Sequence, residues 1–193
     1  MRRLAGELDT GPASLYVYFR NAAELRAAVL DELLVEVDLS PVTAEGDWRG
    51  RLNTVLGSYV AVLMKYPPLA RSALLTRPSP SGPRYLDLVE ALLALLHQGG
   101  VDDQRAAWAV DLLLQVATAT GVEQATQREN RDDESGWDAL VDAIDQADAT
   151  RYPRVHALGP ELLSGTSEAR FTWGLSVLTG GVLTAPRTDS DIV

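Results

Sequence analysis

Apolar residues recur along almost the whole chain at the three- and four-residue spacing of an amphipathic helix, and no useful length alternates with the two-residue period of a strand. Residues 48–65 illustrate the pattern, because their large apolar side chains fall on one helical face. Residues 85–97 are apolar on nearly all sides, which is typical of a helix in the middle of a bundle. The sequence therefore predicts an all-α protein, and it contains no internal repeat.

The same periodicity, with its breaks at proline and glycine, divides the rest of the chain. Further helices are predicted over residues 22–37, 69–76, 102–126 and 137–148, and after a cap at Thr166 or Ser167. Residues 40–47 are predicted to be a linker, residues 77–83 a turn and residues 127–136 a mobile loop. Residues 150–166 carry Pro153, Gly159, Pro160 and Gly165 and are predicted to be irregular. The tail after Pro186 is expected to be disordered.

Residues 4–25 predict two short helices separated by a tight turn, followed by the start of a third helix. Leu4 and Leu8 lie four residues apart and share one face of the first helix. The second helix is expected to begin at Pro12, because proline suits the first helical position, and Gly11 is an acceptable N-cap before it. Two short helices joined by a compact turn are the form of a helix-turn-helix DNA-binding element.

The predicted second helix has one face for packing and one without an intramolecular role. Leu15 and Phe19 fall together and are expected to pack on the leucines of the first helix. Asn21 and Glu24 resemble a capping box that opens the next helix. The residues left pointing outward are Ala13, Ser14, Tyr16, Val17 and Tyr18. Two exposed tyrosines and a valine on so short a helix indicate a surface with a partner.

This segment resembles the DNA-binding segment of the TetR family of bacterial repressors, whose pattern is roughly R-x-L-A-x-x-L, a turn, L-Y-x-H/Y-F and N-K-x-x-L. The matching residues are Arg3, Leu4, Ala5, Leu8, Leu15, Tyr16, Tyr18, Phe19, Asn21 and Leu25. The resemblance implies that Pro12, Ala13, Ser14, Val17 and Tyr18 face base edges, and that Arg2, Tyr16 and Arg20 contact phosphates. The alternative is that Tyr16 and Tyr18 only cap the core of a small bundle.

The chain departs from the family pattern in two places. The family's DNA-binding domain has three helices, and Met1 falls where the second helix would already be under way, so this polypeptide is expected to bind DNA poorly while its body folds. Ala22 stands where the family usually has a lysine that meets a backbone phosphate. Without that contact, DNA binding should be weaker on every sequence and less dependent on salt.

The resemblance continues weakly in the C-terminal part of the chain, through Tyr152-Pro153, residues 160–163 and residues 170–175. It implies a partial helix-turn-helix domain with a connecting helix over residues 1–39. A C-terminal ligand-binding and dimerisation domain would follow over residues 40–193. The middle of the chain carries the helical pattern but no motif that can be named.

Charge narrows the possible partners. The net charge is −10, which argues against a protein that coats nucleic acid non-specifically, since phosphate neutralisation dominates such binding. The first 26 residues are slightly basic, with four arginines against three carboxylates. The chain has no cysteine, no recognisable signal peptide and no apolar run long enough for a membrane span. A cytoplasmic protein that has no membrane association is expected.

Catalysis and metal binding find no support in the sequence. No nucleophile has a convincing acid–base partner, no phosphate-binding loop follows a strand, and His97 and His156 lack a second ligand at metal spacing. We therefore expect neither an enzyme nor a cofactor. A largely apolar effector pocket is predicted in the body, lined by Tyr59, Leu63, Met64, Leu92, Trp108, Leu112 and Gln115. Ordinary core packing explains each of these residues equally well.

The predicted function is that of a ligand-responsive repressor that leaves a palindromic operator when a small molecule binds. Helix-turn-helix proteins usually bind DNA as two-fold dimers. A homodimer is therefore expected, formed through residues 102–126 and 168–183, where Gly174, Gly180 and Gly181 allow close helix approach. The alternative is a dimeric helical protein that binds small molecules and has no DNA-binding activity.

Overall fold

The computed structural model describes residues 6–7, 9, 11–73, 82–129 and 135–186. Its helices are α1 Pro12–Tyr18, α2 Ala22–Leu33, α3 Trp48–Lys65, α4 Pro67–Ala73, α5 Pro83–Gln98, α6 Asp103–Glu129, α7 Ser135–Asp145, α8 Pro153–Leu163 and α9 Ser167–Thr184. Two short 3₁₀ segments, Leu34–Glu36 and Ser40–Thr43, join α2 to α3. The described residues contain no strand, so the all-α prediction is confirmed.

Several helices begin where a side chain satisfies the free N–H groups of the first turn. Asn21 Oδ1 accepts from Glu24 N at 2.9 Å, Asp47 Oδ2 accepts from Gly50 N at 3.0 Å, and Thr166 Oγ1 accepts from Ala169 N at 3.1 Å. Asp102 Oδ1 accepts from Arg105 N at 3.1 Å at the start of α6. These interactions are local in sequence, which explains why the starts of α2, α6 and α9 were predicted correctly.

The core lies between α3, α5 and α6, with α9 packed on α6 and α3. Its largest buried side chains are leucines, and Leu52, Leu56, Leu92, Leu95 and Leu113 have no exposed surface. At Gly121 α6 approaches α3 closely, because a Cβ there would lie 3.0 Å from Leu63 Cβ. The side of α6 that faces α3 is therefore closely packed.

The helix predicted over residues 22–37 ends earlier as an α-helix and continues as the 3₁₀ segment Leu34–Glu36. Ala27 is buried where α2 packs on α4 and α5. The predicted linker at residues 40–47 is partly ordered, because Ser40–Thr43 forms a 3₁₀ turn. Thus residues 22–36 form one continuous helical segment between α1 and the body.

The irregular structure predicted for residues 150–166 is wrong, because Pro153–Leu163 forms α8. Pro153 occupies the first turn, where a missing N–H costs no hydrogen bond, and Pro160 is accommodated inside the helix. Gly159 lets α8 approach α7 closely, since a Cβ there would lie 3.2 Å from Ile144 Cγ2. The proline and glycine that predicted a break instead open the helix and bring it against α7.

Other predicted boundaries moved by a few residues. The long helix extends to Glu129 and the next begins at Ser135, so residues 127–129 and 135–136 of the predicted loop are helical, and residues 130–134 lie outside the described residues. The predicted turn at 77–83 also falls largely outside them, as does the tail after Pro186. Within the described ranges, none of the helices combines the length and apolar character that a membrane crossing requires.

Candidate functional site

The described residues of the turn before α1 are Asp9 and Gly11. Asp9 adopts a φ of 48°, in the left-handed region that aspartate tolerates better than most residues. Ser14 N donates to Gly11 O at 3.0 Å, and the helix begins at Pro12 as predicted. Leu4, Leu8 and Arg2 lie outside the described residues, as does the side chain of Leu15, so the predicted packing behind α1 stays a prediction.

The outer face of α1 is open to solvent. Tyr16 is 55% exposed, Val17 78% and Tyr18 77%, and Ala13 and Ser14 are exposed beside them. A role in capping a core would require buried tyrosines, whereas these two keep more than half of their surface in water. An apolar and aromatic face of this kind on a seven-residue helix is a candidate contact surface.

The junction between α1 and α2 is held by local hydrogen bonds. Glu24 Oε2 accepts from Arg20 N at 2.7 Å. Arg20 is the residue before the N-cap Asn21, whereas in a standard capping box the glutamate accepts from the N–H of the N-cap residue itself. The Arg20 side chain is 91% exposed, and its Nε lies 3.7 Å from Glu24 Oε2. Ala22 is half-buried at the first position of α2. Arg20 is therefore the cation that this junction presents to solvent.

The seven residues predicted to form one pocket do not come together. Tyr59, Leu63 and Leu92 are buried in the core, and Met64 is half-buried at its edge. The remaining three, Trp108, Leu112 and Gln115, lie on the outer side of α6. Their three- and four-residue spacing puts them on one face, opposite the face that Ala109, Leu113 and Ala117 bury. Periodicity alone did not reveal which face of α6 points inward.

A polar pair that the sequence did not predict lies in the core. Tyr59 Oη and Thr118 Oγ1 are 2.8 Å apart, joining α3 to α6, and both residues are buried. Burial raises the pKa of the Tyr59 hydroxyl, the bond to Thr118 opposes that shift, and the nearby Tyr85 adds to it. The pair gives the interior of the body a neutral donor and acceptor. No signal in the sequence identifies the pair, because periodicity does not show that Thr118 lies on the buried side of α6.

A cavity of about 230 Å³ opens between α6 and α9. It lies outside the predicted pocket, and its walls combine apolar or small residues with polar ones. They are Val116, Thr120, Glu123, Gln124, Gln127, Ser167, Arg170, Phe171 and Gly174. The Arg170 guanidinium is already hydrogen-bonded to the backbone, because its Nη2 donates to Leu162 O and Ser164 O, each at 2.6 Å.

Two neighbouring helices carry exposed apolar residues on the outside of the body. Trp108 and Leu112 are 55% and 40% exposed on α6, and Trp173 and Val177 are 70% and 52% exposed on α9. Each pair is four residues apart and so shares one face of its helix. Because α6 and α9 pack side by side, the two faces belong to one part of the body.

Comparison of the sequence with known proteins finds matches over most of the chain. The profile described as "Tetracyclin repressor-like, C-terminal domain" matches residues 40–185. The chain is 28% identical over 195 residues to the HTH-type transcriptional repressor DrrR1 of Streptomyces coeruleorubidus, covering 97% of this chain and 71% of that protein.

Two solved structures superimpose on nearly the whole of this chain. The transcription regulator SCO7704 from a Streptomyces species superimposes with a TM-score of 0.79 at 49% identity, covering 97% of this chain and 85% of that one. ActR of Streptomyces coelicolor, solved in complex with actinorhodin, has a TM-score of 0.80 at 33% identity, covering 95% of this chain and 86% of that one.

Proposed function

Because this chain belongs to the tetracycline-repressor-like family of ligand-responsive transcriptional regulators, we propose that it represses transcription by holding an operator and leaves it when a small molecule binds. The observation that carries the proposal is the exposed face of α1, within a chain that matches family structures over nearly its whole length. We treat residues 1–39 as the DNA-binding part with its connecting helix and residues 40–193 as the body. A cytoplasmic location follows from action on DNA.

In this proposal α1 is the recognition helix, the element that lies in the major groove. Pro12, Ala13, Ser14, Val17 and Tyr18 face base edges, and Arg2, Tyr16 and Arg20 contact phosphates. The exposure of Val17 and Tyr18 supports contact with bases, because apolar groups can meet a thymine methyl. The exposure of Arg20 supports a phosphate contact, since the ion pair that its guanidinium makes among the described residues is a long one, 3.7 Å from Glu24 Oε2.

The effector is proposed to bind within the body, among the core residues Tyr59, Leu63, Met64 and Leu92. The hydrogen-bonded hydroxyls of Tyr59 and Thr118 supply the polar handle that a mostly apolar site needs for orientation. ActR, solved with actinorhodin and with (S)-DNPA, supports a small organic ligand as the class of effector. Trp108, Leu112 and Gln115 are assigned to the outer surface instead.

The protein is further proposed to act as a homodimer through α6 and α9. Both helices present exposed apolar residues on neighbouring faces, and Gly174, Gly180 and Gly181 on α9 leave open space for a partner helix. A two-fold dimer would present two recognition helices to successive major grooves. Movement of α2 on effector binding would change their spacing, with a coupling free energy of about 1–3 kcal/mol that is typical of allosteric proteins.

The proposal is tested by gel shift of the protein with the DNA that flanks its own gene. Specific binding is expected, and the Tyr16→Ala variant should lose it without any change in circular dichroism. Tyr152→Ala removes another exposed tyrosine, 45% accessible against 55% for Tyr16, from the body and should bind as the parent does. Absence of specific binding by the parent, or undiminished binding by Tyr16→Ala, would contradict the proposal.

A further inference from the structure

The N-terminus of α5 is capped by a residue from another helix. Its own N-cap residue, Gly82, has no side chain, and Pro83 at the first position has no N–H. Asp31, near the C-terminus of α2, fills the role, because its Oδ1 accepts from Tyr85 N at 2.9 Å. A carboxylate in this position also meets the positive end of the helix dipole. The cap therefore joins two helices that are about fifty residues apart in sequence.

The fit between Asp31 and Gly82 is close from both sides. Asp31 is only 8% exposed, and a buried carboxylate is stable only where hydrogen bonds replace its water. A Cβ at Gly82 would overlap Oδ1 and Cγ of Asp31 and crowd Oδ2. A side chain at position 82 would therefore displace the Asp31 carboxylate from the helix end.

A second polar contact holds the segment that follows α2. Glu36, at the end of the 3₁₀ turn, accepts from Lys65 Nζ at 2.7 Å and from Tyr66 Oη at 2.9 Å, at the C-terminus of α3. The connecting segment is thus bound to the body at the end of α3 and at the beginning of α5. Only two residues, Phe19 and Arg20, separate α1 from Asn21, which caps α2.

We infer that Asp31 is the positioning residue that couples the first turn of α5 to the orientation of the recognition helix. The inference rests on the proposed function and concerns its regulation. An effector that displaces the first turn of α5 would release or strain the Asp31 cap, and α2 would carry that change to α1. Changes made on the α5 side should therefore be measurable at α1.

The chain has no cysteine, so a pair of introduced cysteines can carry the only spin labels. We place labels at Val17→Cys on α1 and Thr54→Cys on α3, both at exposed positions, and measure their separation by double electron–electron resonance. Dilution with excess unlabelled protein isolates the distance within one protomer, whatever the oligomeric state. The measurement needs no DNA, so its failure is distinguishable from failure of operator binding.

The Asp31→Ala and Gly82→Ala variants should each broaden and shift the distance distribution. Asp31→Asn keeps an acceptor oxygen and should remain closer to the parent than Asp31→Ala. The double variant Asp31→Ala/Gly82→Ala places a methyl in the vacated space and should lie closer to the parent than Gly82→Ala alone. Glu32→Ala removes the adjacent, exposed carboxylate of the same helix and should change nothing.

A parental distribution in folded Asp31→Ala and Gly82→Ala variants overturns the inference. Where a single variant does not fold, as judged by circular dichroism, the double variant and Asp31→Asn decide. The double variant has neither the cap nor the steric clash, so a parental distribution in it would show that the cap does not orient α1.

Discussion

At the scale of single residues, the interior of the body depends on polar groups that find partners across the bundle. The Tyr59–Thr118 pair and the Asp31 cap both link residues distant in sequence, and both are buried. A buried polar group that loses its partner costs about 1–3 kcal/mol, more than the net contribution of an average hydrogen bond. The cost in stability of a substitution at these positions should therefore depend on which buried polar group it leaves without a partner.

Tyr59→Phe should lower the free energy of unfolding by about 1–2 kcal/mol, because it leaves the Thr118 hydroxyl buried and unpaired. Thr118→Val should have a cost of similar size for the reciprocal reason. The double variant contains neither hydroxyl and should cost less than the sum of the single changes. Urea unfolding of all four proteins measures the coupling, and strictly additive changes would argue against the bond.

Ala22→Lys should strengthen operator binding. A lysine at the first position of α2 adds one phosphate contact, so the slope of log K against log salt should steepen by about 0.9. Fluorescence anisotropy at several salt concentrations provides both quantities. Ala61→Lys on the exposed side of α3 adds the same charge away from α1 and should leave the slope unchanged. Equal effects of the two lysines would indicate a general charge effect instead.

At the scale of elements, the connecting segment shows how short polar contacts fix the direction of a helix. The Leu34–Glu36 turn continues α2 and brings Glu36 to the end of α3. The hydrogen bond from Lys65 is the main cause that lowers the pKa of Glu36, with Tyr66 contributing next. The bond to Glu36 is likewise the main cause that raises the pKa of Lys65.

Glu36→Gln should destabilise the protein at neutral pH and not at acid pH. A lowered carboxyl pKa gives stability that is present above the ordinary value of 4.5 and is lost as pH falls through the folded pKa. The raised pKa of Lys65 gives stability present below 10.5 and lost as pH rises through its folded value. The parent should therefore be more stable than Glu36→Gln only in the pH range between the titration of Glu36 and that of Lys65.

Urea midpoints of the parent and Glu36→Gln, measured from neutral to acid pH, test this pH dependence. The two curves should converge on acidification, and added salt should reduce their separation because the pair is exposed. Glu32→Gln, on the exposed side of α2, serves as the control and should follow the parent. A separation that persists into strong acid would mean that charge is not the cause.

At the scale of the whole molecule, charge and exposed apolar surface are unevenly distributed. The chain carries a net charge of −10, yet its first 26 residues have four arginines against three carboxylates. In the proposed function an acidic body would repel DNA, so contact with the operator would be restricted to the segment around α1. The exposed apolar residues of α6 and α9 lie on the body and are suited to a second copy of the chain.

Trp173→Glu should convert the proposed dimer into a monomer. The side chain is 70% exposed in the isolated chain, and a charge there would be buried without a partner in a two-fold interface. Size-exclusion chromatography with light scattering gives the mass directly. Leu86→Glu places the same charge on an exposed leucine of α5 and should remain dimeric. A dimeric Trp173→Glu protein would exclude this face as the interface.

Local sequence determined the helical class of this protein and where several of its helices begin. The helical class and the starts of α1, α2, α6 and α9 were all predictable, because spacing along a helix and capping at its first turn involve residues within four positions of each other. The exposed face of α1 was predictable for the same reason. Proline and glycine were less reliable signals, as α8 demonstrates, because their effect depends on what packs beside them.

Only the tertiary structure decided which face of α6 is buried, and with it whether Trp108 and Leu112 point into the body or out of it. It also decided that Asp31 caps α5 and that Tyr59 meets Thr118. These partners are separated by 54 and 59 positions along the chain. Helical periodicity shows which residues share a face, but the choice of face depends on shape and polar matching with distant segments, which exist only once the bundle is packed.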